Sequence, residues 1–167
     1  MRAVRHDGGS GFAQARTISV LLLEDDDVDA KLIALQAAGF RMIDMRVLRA
    51  RSTAEAREHV EAERIDLAIL DFWLGCESSL RFLAELNARL PGLPAIVLTG
   101  LSMPDVREMC ASAGAVCFLD KASLTGEAFE AAILGVLGPR AFRSAPAEPI
   151  RYGRPGLTVI QNERYDR

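Results

Sequence analysis

The sequence predicts an α/β fold, a doubly wound five-stranded parallel sheet with helices on both faces. Two observations carry that prediction. Four apolar runs, Ile18–Leu23, Ile65–Leu70, Pro94–Leu98 and Ala115–Leu119, are separated by helical patterns, as in strands buried on both faces. Each run also stops at a polar residue: Glu24-Asp25, Asp71, Thr99 and, one residue later, Lys121. Parallel strands place their carboxyl ends along one edge, where open α/β sheets bind ligands.

The elements follow in order. Val28, Leu32, Leu35 and Gly39 repeat at helical spacing after an Asp26-Asp27 start. Ile43–Leu48 is a weaker, alternating strand suited to a sheet edge. Ser52 with Glu55 forms a capping box that opens a helix to about Glu63. Ser78 or Ser79 caps a helix carrying Leu83, Leu86 and Leu90. Ser102 with Asp105 makes a second box, with Pro104 in the tolerated first turn. Thr125 opens a helix through Phe129, Ile133 and Val136, and Gly138-Pro139 stops it. Five strands alternate with five helices, a three-layer arrangement.

Global features narrow the class. The 167 residues suit one domain with a sizeable core. No apolar stretch reaches the length of a membrane span, and residues 1–16 lack a signal-peptide core. Cys76, Cys110 and Cys117 read as small buried hydrophobes in a reducing compartment, so a cytoplasmic protein is expected. Charge is uneven: residues 17–138 carry eleven Lys and Arg against nineteen Asp and Glu, while both ends are basic. Residues 1–16 are read as a flexible N-terminal flank and 139–167, with four prolines and six arginines, as a flexible Pro/Arg-rich tail. That tail is too short and proline-rich for a helix-turn-helix output domain, so nucleic acid is not an expected partner, nor is a membrane.

The carboxyl edge carries the chemistry. Two unit charges about 4 Å apart repel by roughly 4 kcal/mol at an effective dielectric near 20. Glu24, Asp25 and Asp71 therefore require a raised pKa or a bound cation. Hard oxygen ligands with open positions suit Mg²⁺. An aspartate in such a setting can accept a phosphoryl group, with Lys121 supplying an ammonium and Thr99 a hydrogen bond.

The motifs Leu-Leu-Leu-Glu24-Asp25-Asp26, Ile-Leu-Asp71, Val-Leu-Thr99-Gly100 and Phe118-Leu-Asp-Lys121 together resemble the response-regulator receiver domain of two-component signalling, over residues 17–138. The resemblance implies a flavodoxin-like sandwich with strand order 2-1-3-4-5 and a phosphoacceptor at Asp71. It further implies that Mg²⁺ is held by Asp25, Asp71, the Trp73 backbone carbonyl and, through water, Glu24. Thr99 and Phe118 match the switch hydroxyl and switch aromatic. Trp73 and Leu101 fall where they would shield an acyl phosphate from water. Three positions depart from the family pattern: Gly75 and Ala122 stand where proline is usual, and Ser79 where glycine is usual.

The expected function is a stand-alone response regulator. It takes phosphate from a histidine kinase or histidine phosphotransfer protein and signals by contact with a downstream protein or a second copy, a homodimer. It is not read as an enzyme beyond its own phosphorylation and dephosphorylation. A phosphorylation-independent adaptor is the alternative, disfavoured by the intact acidic set. A phosphatase of the haloacid-dehalogenase type needs a second aspartate two residues past the first, where this chain has Trp73. His6 and His59 read as ordinary exposed residues.

Overall fold

The computed structural model describes residues 16–100, 104–138 and 158–160. Five parallel strands, β1 (Arg16–Leu23), β2 (Ile43–Ala50), β3 (Leu67–Asp71), β4 (Ala95–Thr99) and β5 (Cys117–Asp120), alternate with α1 (Asp27–Ala37), α2 (Thr53–Ala62), α3 (Leu80–Arg89), α4 (Pro104–Ala113) and α5 (Gly126–Leu137). The short strand β6 (Thr158–Ile160) lies outside β2, giving the order β5-β4-β3-β1-β2-β6. The five expected strands thus stand in the expected order. Ile43–Leu48 was expected at the sheet edge; β6 pairs with Arg46–Leu48 and covers that edge in part.

Two apolar layers hold the sheet. Ile18, Val20, Ile69, Ile96 and Leu98 pack toward Ile33 of α1 and Phe129 and Ile133 of α5. Leu21, Leu23, Leu70 and Val97 face the other way, toward Ala56, Phe82, Leu86 and Val106 of α2, α3 and α4. Every residue of β3 and β4 is buried, as the apolar runs require.

Local signals worked unevenly. Asp26 caps α1, accepting from the amides of Val28 (2.7 Å) and Asp29 (3.0 Å). Ser52 and Thr125 cap α2 and α5 by the same chemistry. Ser79 occupies the cap of α3 but makes no side-chain cap bond. Ser102 lies outside the described residues. The apolar repeat of α1 is the larger surprise: Val28 (63% exposed), Leu32 (53%) and Leu35 (72%) face away from the core. Ala30, Ile33 and Ala37 are the side chains α1 buries. Cys110 is buried, Cys117 half-buried and Cys76 exposed, so Cys76 departs from the buried reading. No helix among the described residues is long and apolar enough to cross a membrane.

Candidate functional site at the carboxyl edge of the sheet

Strand register assembles the site. Leu23 aligns with Leu70, so Glu24 and Asp71 leave adjacent strands side by side. Asp71 aligns with Leu98, and Thr99 aligns with Asp120, which places Lys121 at the same edge. The Lys121 ammonium lies 2.7 Å from Glu24 Oε2, 2.7 Å from Asp29 Oδ2 and 3.0 Å from Asp71 Oδ2. An ammonium has three N–H donors, and here three carboxylates meet it. Thr99 is buried at the end of β4.

Asp29 is the residue that sequence reasoning missed. It sits in the first turn of α1, and its ion pair closes a loop between residues far apart in sequence. Its spacing from Asp25, one helical turn, was the available signal, but nothing local says which strand loop that turn faces. Carboxylate oxygens of Glu24, Asp29 and Asp71 lie within 4.8 Å of one another. Asp25 is not in that group among the described residues. It is half-buried, with one carboxylate oxygen 3.9 Å from where a side chain on Gly75 would begin.

Burial dominates the electrostatics. It pushes the Glu24 carboxyl up to about 7, helped by the neighbouring Asp71 charge and opposed by Lys121. Burial likewise raises Asp71, against the opposing pull of Lys121 and of the Trp73 and Phe72 amides. For Lys121, desolvation works to lower the pKa, but the bonds to Asp29, Glu24 and Asp71 outweigh it and hold the ammonium well above the usual lysine range. The ammonium is therefore charged at neutral pH, and three acidic side chains share this one cation, an excess of acidic over basic groups. An all-oxygen donor set with that excess fits a hard divalent cation such as Mg²⁺.

The loop after Asp71 has its own geometry. Trp73–Leu74 pairs antiparallel with Glu77–Ser78. Gly75 in the turn has φ +59°, a left-handed value that proline, fixed near −65°, cannot adopt. This accounts for glycine where the family pattern has proline. Trp73 is partly exposed and meets the Phe72 ring edge-on at 5.2 Å. Residues Lys121–Ser123 form a 3-10 turn, capped by Asp120 through the Ala122 amide at 2.9 Å. That turn carries Ala122 at the other position where proline is usual. Phe118 is half-buried, with the Arg107 guanidinium 4.7 Å above its ring. Leu101 lies outside the described residues.

A family model of the response regulator receiver domain matches residues 20–133. The chain belongs to that family. No curated protein sequence matches it. Solved receiver structures share the fold of this receiver domain. One, a response regulator from Burkholderia pseudomallei with a phosphorylated aspartic acid, calcium ion and citrate, has 26% identity and a TM-score of 0.58, over 75% of this chain and 69% of its own. A CheY-like receiver protein from Methanospirillum hungatei JF-1 has 20% identity and a TM-score of 0.63, over 77% of this chain and 99% of its own. A response regulator from Thermotoga maritima has 21% identity and a TM-score of 0.63, over 72% and 98%.

Proposed function

We propose that this receiver domain accepts a phosphoryl group on Asp71 from a histidine kinase or histidine phosphotransfer protein in the cytoplasm, and signals through protein contacts. The observation that carries this reading is the buried Asp71 carboxylate at a strand end, 3.0 Å from the Lys121 ammonium. In the step, a carboxylate oxygen of Asp71 attacks phosphorus. The P–N bond of a phosphohistidine breaks, a P–O bond forms, and the imidazole leaves.

The chain's own groups prepare that step. Burial keeps water from competing at Asp71, and the Trp73 amide bonds its carboxylate. Lys121 offers a charged donor beside the oxygen that receives phosphorus, and transferring phosphoryl groups are stabilised chiefly by such fixed charge. Asp25, Asp71 and the Trp73 carbonyl would hold Mg²⁺, with Glu24 acting through water. The ion would supply the further positive charge that phosphate and clustered carboxylates need together. The Burkholderia pseudomallei relative, with its phosphorylated aspartic acid and calcium ion, supports this reading.

The readout would run through Thr99 and Phe118. Movement of Thr99 toward a phosphoryl oxygen opens space into which Phe118 can turn, changing the face formed by α4, β5 and α5. Trp73 and Leu101 would shield the acyl phosphate and lengthen its life. Phosphotransfer with Mg²⁺, read by mass or a phosphate-affinity gel, tests the assignment. Wild type should gain one phosphoryl group and Asp71→Ala none; label on Asp71→Ala, or mapped to Ser78, Ser79 or Thr99, would sink it.

A further inference from the structure

Arg49, near the end of β2, is a buried cation that the phosphoryl chemistry above leaves without a part. Its side chain is only 5% exposed. Nε donates to the Glu24 carbonyl at 3.1 Å, Nη2 to the Asp25 carbonyl at 3.2 Å and Nη1 to the Asp27 carboxylate at 2.6 Å. From the neighbouring residue, the Ala50 carbonyl accepts the Glu24 amide at 2.9 Å. A His59 ring nitrogen from α2 lies 3.1 Å from the Arg49 carbonyl, so the base of the clamp is itself tied down.

Successive carbonyls of an extended strand point to opposite sides. Those of Glu24 and Asp25 instead reach one planar guanidinium, so the chain turns at this pair. A fork bound to two consecutive carbonyls fixes the dihedrals between them, and with those the directions of the two side chains. The side chains so directed are the acid pair.

We propose that Arg49 is a positioning residue: by clamping the Glu24 and Asp25 carbonyls it aims their carboxylates and so sets the affinity of this edge for a divalent cation. The inference rests on the metal-dependent reading above. Arg49 acts through the backbone and touches no ligand. Lysine cannot replace it, because one tetrahedral ammonium does not reproduce a planar fork. A role as mere counter-charge makes the opposite forecast: removing the cation would tighten metal binding, and lysine would serve as well as arginine.

The test is Mg²⁺ titration of the full chain by calorimetry for wild type, Arg49→Lys, Arg49→Gln and Asp27→Asn. Outer partners of metal sites commonly change affinity by about tenfold or more, and both Arg49 variants should weaken binding on that scale. Their labelling by a small-molecule phosphodonor should recover when Mg²⁺ is raised in proportion. Melting curves in EDTA should show each variant fully folded at the titration temperature, because Mg²⁺ alone could also rescue a folding defect by mass action. Asp27 is half-exposed and its amide analogue can still accept from Nη1, so Asp27→Asn should fold and stay within about twofold of wild type. Wild-type affinity in Arg49→Lys, tighter binding in Arg49→Gln, or marked weakening in Asp27→Asn overturns the inference while leaving the functional reading intact. Failure of the wild-type chain to bind Mg²⁺ overturns both.

Discussion

Ser79 shows what one atom can cost. Its Oγ is buried without a hydrogen-bond partner, at a helix cap whose backbone is already satisfied by the Phe72 carbonyl. An unpaired buried hydroxyl costs about 1–3 kcal/mol. Ser79→Ala should therefore stabilise the protein by about 1 kcal/mol, read as a rise in the urea midpoint at constant m. The backbone there has φ −74°, ordinary for any residue, so Ser79→Gly should gain less because glycine loses more entropy on folding. A drop in stability for Ser79→Ala would mean the hydroxyl has a partner. At this scale the sequence was informative where one residue broke an apolar run. Glu24, Asp71, Thr99 and Lys121 were legible because strand ends in a parallel sheet share an edge. Asp29 and Arg49 were not. Their roles depend on which way a helix turn and a β2 side chain face, and no local pattern encodes that.

Among the elements, α1 is the instructive case. Its apolar repeat was read as helical, and the helix is there, but periodicity alone does not say which stripe is buried. The two sides of this helix are nearly equal in hydrophobicity, so the decision falls to size and fit against the sheet: Ala30, Ile33 and Ala37 go inward, while Leu32 and Leu35 stay in solvent. Adjacent substitutions should then behave very differently. Leu32→Lys with Leu35→Lys should change stability by no more than about 0.5 kcal/mol for each exposed site. Ile33→Ala should cost about 2–5 kcal/mol, since it opens a cavity against the sheet. Chemical denaturation of both variants is the check; a large loss in the lysine pair would place that stripe inside.

For the whole molecule, the acidic edge should make stability depend on pH in an unusual direction. The folded-state pKa of Glu24 is raised to about 7 from an ordinary 4.5. A raised carboxyl stabilises the fold fully below 4.5, and that contribution is lost as pH climbs through about 7. The shift corresponds to roughly 3 kcal/mol. Asp71 is raised for the same reason and acts in the same sense. Asp26, Asp27 and Glu85 are lowered, so their effects fall below their ordinary range, outside this window. In EDTA, the melting temperature should fall between pH 5 and pH 8. Glu24→Gln should flatten that slope, and Mg²⁺ should restore wild type at the upper end. Equal slopes for wild type and Glu24→Gln would contradict the assignment. The five strands and the meeting of Glu24, Asp71, Thr99 and Lys121 at one edge were legible from the apolar runs, whereas the strand order came from the family resemblance. The sixth strand was not legible, since Thr158–Ile160 is too short to signal a partner on its own.

The grip of three carboxylates on Lys121 also decides where amine-directed reagents can act. Acylation needs the neutral amine, and Lys121 stays protonated far above neutral pH. The only other lysine is Lys31, exposed on α1. An activated ester at mild pH should therefore modify one lysine side chain, at Lys31, leaving Lys121 and the carboxyl edge of the sheet untouched. A surface coupled through that position would hold each tethered molecule by the same helix. Peptide mapping of a lightly acylated sample would show it directly, and substantial modification at Lys121 would reveal that the three-carboxylate grip opens in solution.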